Sequence, residues 1–475
     1  MYNYIQHYIN GQWVDSTGNE KIDVINPATE EKIGEISSGT KEDLDKAVKA
    51  ARAAFPAFSQ TTKEERAALL DRIADEYEKR KNKFIEIIIA ELGSPVTFTT
   101  NVQYQMGLNH FRTAAKLVRD FEFTEKRENS LVQKDAIGVA GLITPWNFPT
   151  NQVSTKLASA FAAGSTVVLK PSEETPFAAM LLTEAMEAAG VPEGVFNLVT
   201  GTGDTIGNGI SSHPDIDFVS FTGSGKVGTK IMENAAPDIK KVALELGGKS
   251  PIIVLDDTDI DYAAKKAISN IAGNTGQVCT AGTRAIVPES IHDDFIEAIK
   301  RHLSEFPIGD PKDESTFTGP QVSEKQWNTV QDYIQTGIDS DATLVAGGTG
   351  KPEGLETGYY SKLTVFTDVK PEDKIAQEEI FGPVLSVITY KDLDEAIDIA
   401  NGTIYGLAGY VIGNNPDTLT HVAKSIRSGR ITVNDGQSDF TAPFGGYKQS
   451  GIGREWGDYG IEEFLEVKTI TGLPS

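Results

Sequence analysis

The sequence contains one cysteine, Cys279, in the small-residue segment GNTGQVCTAGTR. A single cysteine excludes an internal disulfide framework and argues against a structural zinc site built from thiolates. Because free cysteine is often buried, a core role is favoured about two to one over a reactive role when context is ignored. Here the small neighbours would let a substrate approach the sulfur. An ordinary thiol, with a pKa of about 8.5, is only ~3% ionised at about pH 7, so a nucleophilic Cys279 needs a base or a lowered pKa.

Two further polar residues could complete such chemistry. Glu245 ends a predicted strand in LELGGKSP, where two glycines leave space around the carboxylate. Asn147 lies in TPWNFP, where Pro145 and Pro149 break a strand and fix a rigid turn. A carboxylate can act as a base, and an amide N–H can stabilise an oxyanion. The alternatives are a solvated glutamate at a domain crossover and a structural Trp-Asn turn.

The segment FTGSGKVG places Gly223, Gly225 and Gly228 between a predicted strand and a predicted helix. In that context, backbone N–H groups and a helix N-terminus can bind phosphate. The pattern alone is weak, because a strand-to-helix turn that needs positive φ would also select glycine. In the usual dinucleotide-binding pattern, an acidic residue about 20 positions further on binds the ribose. That residue would be Glu245, which therefore has two competing roles.

The elements around these residues predict an α/β fold. After strands in HYINGQWV and IDVINP, amphipathic helices are predicted from Asp43 to Phe58, with Thr40 as the cap, and from Lys63 to Lys81. From Gly138 onward, short β-branched runs alternate with helical stretches of about 10–15 residues, which is typical of a parallel sheet. The predicted strands are GVAGLIT, STVVLK, GVFNLV, DFVSFT and KVALEL. Together they predict a Rossmann-like, doubly wound nucleotide-binding unit.

A second α/β domain is predicted after Gly247 and Gly248. It begins with the strand PIIVL, continues with a helix from Asp261 towards Asn270 and a strand near Arg284–Val287, and contains a surface loop at 347–358. A polar hairpin in FEFTEKRENSLVQKDAIG and a strand in EEFLEVKTITG are interpreted as two unpaired edges, which favours pairing between subunits.

Composition and charge narrow the function classes. A chain of 475 residues is longer than one hydrophobic core usually serves, so two or three domains are expected. The formal net charge of −24 repels nucleic-acid backbones and anionic lipid headgroups, so neither is an expected partner. The first ten residues carry no Lys or Arg, unlike a secretory signal, and apolar runs such as 137–143 are too short to cross a bilayer. A cytoplasmic protein is expected.

Taken together, the chain resembles the aldehyde dehydrogenase superfamily along nearly its whole length, from INGQWVDS to FLEVKTIT. The resemblance is carried by separate motifs in the same order: PWNFP, LKPSEETP, FTGSGKVG, LELGGKSP, GQVCTAG, EEIFGPV and PFGGYKQSG. It implies an NAD-dependent enzyme that converts an aldehyde to a carboxylic acid without a metal. Cys279 would be the nucleophile and Glu245 the general base. The Asn147 side chain and the Cys279 backbone N–H would form the oxyanion hole.

The resemblance also assigns the cofactor contacts. Lys170 and Glu173 match the ribose contacts, which removes Glu245 from that role, and Glu173 disfavours NADP. The remaining residues that would bind NAD are Trp146, Gly203, Gly223, Ser224, Gly228, Glu379 and Phe381. Glu455 matches a residue thought to relay protons, but a solvated helix charge explains it equally well.

Three domains are predicted: an NAD-binding domain (1–121 and 142–246), a catalytic domain (247–445) and a small β oligomerisation element (122–141 and 446–475), which implies a homodimer or homotetramer. Ala272 and Gly273 stand where relatives acting on hydrophobic aldehydes often carry aromatic residues. A wider or more polar pocket is expected, bordered by Asn151, Gln152, Asp439 and Phe440.

Three rival functions remain. A Cys-His hydrolase would leave the five predicted strands unexplained, and none of the six histidines lies in a recognisable motif. A CoA-acylating relative would pass the acyl group to CoA, but the presence of Glu245 favours water. A structural protein of the same fold that no longer turns over substrate would be expected to have lost catalytic residues, but Cys279, Glu245 and Asn147 are all present.

Overall fold

Strands and helices alternate along most of the chain in the computed structural model, which describes residues 2–473. The strands are β1 (Tyr2–Tyr4), β2 (Gln6–Ile9), β3 (Gln12–Asp15), β4 (Lys21–Asn26), β5 (Glu31–Ser37), β6 (Thr124–Lys126), β7 (Ser130–Ala136), β8 (Val139–Ile143), β9 (Thr166–Lys170), β10 (Phe196–Leu198), β11 (Phe218–Thr222), β12 (Lys241–Glu245), β13 (Ser250–Val254), β14 (Gly282–Pro288), β15 (Thr343–Ala346), β16 (Thr364–Thr367), β17 (Val384–Tyr390), β18 (Ala408–Ile412), β19 (Arg430–Val433), β20 (Gly451–Ile452) and β21 (Leu465–Thr471).

The helices surround these strands. They are α1 (Lys41–Phe58), α2 (Lys63–Lys79), α3 (Lys81–Leu92), α4 (Val96–Phe98), α5 (Tyr104–Asp120), α6 (Pro149–Ala163), α7 (Phe177–Ala188), α8 (Asn208–Ser212), α9 (Gly225–Ala235), α10 (Ile260–Ala272), α11 (His292–His302), α12 (Glu324–Ile338), α13 (Lys374–Gln377), α14 (Leu393–Asn401), α15 (Pro416–Ser425) and α16 (Gly457–Glu463). A π-helical turn, Thr99–Gln103, joins α4 to α5.

The largest sheet contains the predicted five-strand unit. Its central strands lie in the order β10-β9-β8-β11-β12 and are all parallel. The β2–β3 hairpin extends one side of this sheet and β20 extends the other, both antiparallel. From β8 the chain adds β9 and β10 on one side and then returns to add β11 and β12 on the other. At such a switch in strand order, a ligand crevice is expected outside the carboxyl ends of the strands. The α/β prediction is confirmed.

Helices cover both faces of this sheet, and its strands β8, β9, β10 and β11 are therefore buried along their whole length. The apolar sides of α2, α5, α6 and α7 share one core, and those of α1, α8 and α9 share another. Helix α1 begins with the predicted capping box, in which Thr40 and Asp43 each bind the backbone N–H of the other.

The second sheet has the order β15-β16-β17-β14-β13-β18-β19, with only β15 antiparallel to its neighbour. Helices α10 and α11 cover one face, and α12, α14 and α15 lie on the other. The helix predicted from Asp261 is α10, and the predicted loop at 347–358 contains no helix or strand. A smaller sheet of β1, β5 and β4 lies near the N-terminus.

The interpretation of two unpaired edges is wrong, because the hairpin and the C-terminal strand pair with each other. All seven residues of β21 pair antiparallel with β7, in the sheet β21-β7-β6. The two outer strands of this sheet, β21 and β6, each keep one edge without a strand partner among the described residues. Most residues of β21 are exposed, and the exposed fraction of Val467 is 64%.

Strand pairing also moves two predicted domain boundaries. Residues 139–141 belong to β8 in the large sheet, not to the hairpin. Near the C-terminus, β20 pairs with β12 and α16 contacts α6, so among the described residues 446–473 only β21 forms strand pairs with the hairpin. The division into three domains stays a prediction. Within residues 2–473, no helix is long and apolar enough to cross a membrane.

Candidate active site

Three loops bring the predicted catalytic residues into one cleft. Asn147 follows β8, Glu245 is the last residue of β12, and Cys279 lies between α10 and β14. All three line a cleft of about 250 Å³. The first two are placed by the carboxyl edge of the large sheet and the third by the second sheet, so the cleft lies between the two sheets.

The loop that carries Cys279 has a strained backbone. Asn274, Thr275 and Gly276 are consecutive residues in the left-handed region, with φ values of 49°, 61° and 71°. Such a conformation costs of order 1–3 kcal/mol for each non-glycine residue and persists only when the surroundings enforce it. At Gly276 a Cβ would lie 2.2 Å from the carbonyl oxygen of Gly382, so only glycine fits there.

The Asn147 side chain is tied to this loop. Its Nδ2 donates to the carbonyl oxygen of Gln277 over 3.0 Å, and the residue is buried. Because an asparagine amide carries two N–H groups, this bond uses one and orients the other. The Asn147 amide can therefore anchor the loop and still donate to a substrate oxygen near Cys279.

The Cys279 thiol is protonated at neutral pH. Burial, together with the nearby carboxyl groups of Glu379 and Glu245, raises its pKa to about 12, and the backbone N–H groups of Cys279 and Thr280 partly oppose this. At about pH 7 the ionised fraction of a thiol with that pKa is only ~10⁻⁵. The need for a base is therefore much stronger than an ordinary cysteine pKa predicts.

Glu245 is well placed to be that base. Burial raises its pKa well above the usual range, Glu455 raises it further, and Lys156 and Arg454 lower it. Neither carboxyl oxygen has a hydrogen-bond partner among the described residues. A Cβ at residue 445 would lie 2.7 Å from Glu245 Oε1, so Gly445 leaves the space that this carboxyl group occupies.

Glu455 is not a solvated helix charge. It precedes α16, its side chain is 12% exposed, and it forms an ion pair with Lys156, whose side chain is 1% exposed. Lys156 Nζ also donates to Ser220 Oγ over 2.9 Å. Glu455 therefore links the buried surroundings of Glu245 to the protein surface.

Five of the predicted cofactor residues also line the cleft: Trp146, Gly223, Ser224, Glu379 and Phe381. The rings of Trp146 and Phe381 meet edge to face at 5.3 Å, and both residues line the cleft. Glu379 Oε1 accepts from the Gly248 N–H over 3.1 Å, and burial raises the Glu379 pKa to about 7. Gln326 of α12 lines the cleft as well and donates to the Phe381 carbonyl over 2.9 Å.

Lys170 ends β9 and Glu173 follows it, while the backbone of Gly203, after β10, lies beside Glu173; none of the three lines the cleft. Lys170 Nζ donates to Glu173 Oε2 over 2.8 Å. Burial works to raise the Glu173 pKa, but the Lys170 ammonium, with the backbone N–H groups of Glu173 and Gly203, lowers it below the usual value. Glu173 is therefore ionised at neutral pH, and a carboxylate and an ammonium lie side by side here.

The glycines of FTGSGKVG are not explained by positive φ, since none of the three adopts it. Gly223 and Ser224 line the cleft, and Ser224 is the N-cap of α9. A Cβ at Gly228 would lie 2.8 Å from a Leu246 methyl carbon, so this glycine lets α9 pack closely. Gly225 has open space where a Cβ would be. An anion could therefore approach the N-terminus of α9.

Of the four predicted pocket residues, only Gln152 lines the cleft. Asn151 Oδ1 is instead 2.8 Å from His110 Nε2, and the His110 ring lies 5.2 Å from Phe440. Phe440 stacks on Trp456 at 5.1 Å, next to the cleft and not in it. The exposed Asp439 carboxylate accepts from the N–H and hydroxyl groups of Thr441.

Comparison with known proteins fits this geometry. The sequence profile of the aldehyde dehydrogenase family matches residues 13–470. The chain belongs to the aldehyde dehydrogenase family. A Staphylococcus haemolyticus relative, provisionally named an aldehyde dehydrogenase, is 60% identical over 472 residues, covering 99% of each chain.

Two solved members of the family carry NAD+. Aldehyde dehydrogenase C of Pseudomonas syringae, crystallised as a cysteine-to-alanine variant with NAD+ and octanal, is 42% identical with a TM-score of 0.98, over 99% of this chain and 97% of that one. Betaine aldehyde dehydrogenase of Staphylococcus aureus, crystallised with NAD+, is 38% identical with a TM-score of 0.95, over 98% of this chain and 94% of that one.

Sequence reasoning missed several residues of this aldehyde dehydrogenase site. Gln103, Asn274 and Gln277 hold the backbone of Asn147 and the cysteine loop, and Gln326 holds that of Phe381. A signal was present for Asn274 and Gln277, which lie within five residues of Cys279. Gln103 is 176 positions from Cys279 and belongs to no motif recognised in the sequence, so only the fold brings it near.

Proposed function

We propose that this protein oxidises an aldehyde to a carboxylic acid with NAD and water, through a hemithioacetal and then a thioester on Cys279. The observation that carries the proposal is the cleft in which Cys279, Asn147 and the unpartnered Glu245 carboxyl group meet. The family relatives crystallised with NAD+ support the cofactor. The family and the site together favour an aldehyde, without selecting one.

In the first step Glu245 takes the proton of the Cys279 thiol, and the sulfur attacks the aldehyde carbon. Because both groups have raised pKa values, the transfer from thiol to carboxylate is less unfavourable than the thiol pKa alone suggests. The aldehyde oxygen becomes an oxyanion. The free N–H of Asn147 and the Cys279 backbone N–H are its proposed donors, and one such donor is worth about 3–4 kcal/mol.

The residues present fit NAD. The N-terminus of α9 at Ser224 offers backbone N–H groups to the pyrophosphate, and the open space at Gly225 lets it approach. We assign the adenosine ribose to Lys170 and Glu173 beside Gly203, and the nicotinamide side to Trp146, Glu379 and Phe381. NAD, when bound, accepts the hydride lost by the aldehyde carbon, which leaves a thioester on Cys279.

Before the second step Glu245 releases to solvent the proton that it took from the thiol. The regenerated carboxylate then takes a proton from the water molecule that attacks the thioester, the C–S bond breaks to release the carboxylic acid, and Glu245 returns its proton to the Cys279 thiolate. A proton held by Glu245 in a buried cleft needs a path to solvent. We assign that path to the Lys156–Glu455 ion pair, which lies close enough for its charges to act on the Glu245 carboxyl group. Because neither Glu245 oxygen is hydrogen-bonded to this pair, a water molecule must complete the path.

Glu379 is a second candidate base. It also lies in the cleft, its pKa is about 7, and its effect on the Cys279 pKa exceeds that of Glu245. However, Glu379 already accepts a hydrogen bond from Gly248, whereas Glu245 has none. We therefore assign proton transfer to Glu245. A Cys-His pair is disfavoured because no histidine of residues 2–473 lines the cleft.

The proposal is tested by measuring NADH formation with aliphatic, aromatic, amino and acidic aldehydes. We expect turnover by the wild-type protein and none by Cys279→Ala, with the dissociation constant for NAD nearly unchanged because the thiol bonds to the substrate. Adding CoA should yield no acyl-CoA. Turnover that survives in Cys279→Ala would contradict the proposal, and acyl-CoA formation would replace water with CoA as the acceptor.

A further inference from the structure

Gln103 contacts both segments whose alignment determines the reaction geometry. Its Nε2 donates to the Asn147 carbonyl oxygen over 3.0 Å and lies 3.3 Å from Asn274 Oδ1, also as a donor. Asn147 precedes α6, and Asn274 lies on the strained loop before Cys279. The residue itself is fully buried, in the part of the fold contributed by the first third of the chain.

Asn274 closes the same set of bonds. Its Nδ2 donates to the Asn147 carbonyl over 3.0 Å and to the Gln277 carbonyl over 3.2 Å. The Gln277 carbonyl is also the acceptor for Asn147 Nδ2. We call Gln103, Asn147, Asn274 and Gln277 the amide clamp. Four of the five bonds named here end on two carbonyl oxygens, those of Asn147 and Gln277, and the fifth ends on Asn274 Oδ1.

Two features indicate that the Gln103 side chain serves this contact and does not mainly stabilise the fold. Its Oε1 is buried and has no hydrogen-bond partner among the described residues, which is unfavourable for a buried amide. Gln103 also ends the π-helical turn Thr99–Gln103, and such turns are frequent at functional sites. The irregular helix thus places the Gln103 amide so that its Nε2 donates to the clamp, whereas its Oε1 accepts no hydrogen bond from the described residues.

We propose that Gln103 is a positioning residue, which sets the alignment of the Asn147 amide and the Cys279 sulfur through Asn274. The inference rests on the proposed function, because it assigns Asn147 and Cys279 their roles. Gln103 does not touch the reacting atoms. Its loss should leave the cofactor side of the cleft, at Glu379 and Phe381, unchanged.

The test begins with Gln103→Met, which keeps the length of the side chain but removes both donors. We expect the NADH burst with saturating NAD and aldehyde to slow by about 10–100-fold, since small misalignments of reacting groups have effects of that size. The KM and dissociation constant for NAD should change less than about threefold. The matched control is Thr99→Val, on the same turn, which loses only a bond from Thr99 Oγ1 to the Ser94 carbonyl.

A merely structural role would lower the melting temperature in both variants and affect their burst rates alike. The proposal requires that Thr99→Val keep the wild-type burst rate even if it is equally destabilised. A Gln103→Met burst within twofold of wild type would overturn it. If wild type itself gave no NADH with any aldehyde, the proposed function would fail instead, so the two failures can be told apart.

Gln103→Glu gives a readout that does not depend on stability. Burial raises the pKa of a carboxyl group, and only its protonated form can donate to the Asn147 carbonyl. The burst rate of this variant, divided by that of wild type at the same pH, should therefore rise as the pH falls from about 8 to about 5.5. A ratio that is constant across this range would contradict the clamp.

Discussion

The change Glu245→Gln tests whether the carboxyl group is the base for Cys279. Burial and nearby carboxyl groups raise the thiol pKa to about 12, so without a base only ~10⁻⁵ of the thiol is ionised at about pH 7. General base catalysis contributes roughly 10²–10⁴-fold. We therefore expect the first-turnover burst of NADH to slow by that range near neutral pH, while the NAD dissociation constant stays close to that of wild type.

The pH dependence follows from the same pKa. Below the thiol pKa, the ionised fraction rises tenfold for each pH unit, so the burst rate of Glu245→Gln should increase about 100-fold from about pH 7 to about pH 9. In wild type the rate should level off once Glu245 has lost its proton. Stopped-flow measurement of NADH at saturating NAD and aldehyde gives both profiles.

Glu379→Gln is the matched control. Both carboxyl groups raise the Cys279 pKa, and Glu379 does so more than Glu245. Removing Glu379 should therefore lower the thiol pKa without removing the base. Any loss of burst rate in Glu379→Gln through a misplaced nicotinamide should be similar at about pH 7 and about pH 9, without the rise of about 100-fold expected of Glu245→Gln. A wild-type burst rate in Glu245→Gln, or the steep pH profile in Glu379→Gln and not in Glu245→Gln, would refute the assignment.

Three further predictions follow from named contacts. Asn147→Ala should lower kcat by roughly 10²–10³-fold, the usual loss for one oxyanion donor; a loss under about threefold removes it from the mechanism. The ratio of kcat/KM for NAD over NADP should be about 10-fold or more, because Glu173 would repel a 2′-phosphate by about 1–4 kcal/mol at about 4 Å. Glu173→Gln should narrow that ratio by leaving Lys170 free to pair the phosphate, and equal efficiencies in wild type would contradict this. Light scattering at micromolar concentration should give at least a dimer, since β21 keeps an exposed edge; a monomer mass would exclude pairing through it.

The order of elements in the large sheet could be predicted because its signals are local. Short β-branched runs separated by helical stretches predict parallel strands, and Thr40 with Asp43 predicts the start of α1; both predictions are confirmed. The β7–β21 pair could not be predicted this way. Its residues are more than 300 positions apart, and each run alone has the pattern of an edge strand.

For the site, residue types could be recognised but their electrostatics could not. A sequence assigns Cys279 an ordinary thiol pKa, whereas the value of about 12 arises from burial and from two carboxyl groups on separate segments. Likewise Glu455 has the pattern of an exposed helix charge until the fold places buried Lys156 against it. Such shifts depend on distances across the chain, so no local pattern contains them.

The raised pKa of Cys279 has a consequence for the rest of the site. Burial favours the protonated thiol, which protects Cys279 from ionising until a base takes its proton. Burial also makes each N–H that faces an oxyanion worth more than it would be in bulk water. Such donors help only if they are already aligned, because a misplaced dipole would have to reorient during the reaction. The amides around Asn147 and Asn274 are thus a requirement of the buried thiol, since a nucleophile with a pKa of about 12 depends on stabilisation at the oxygen it creates.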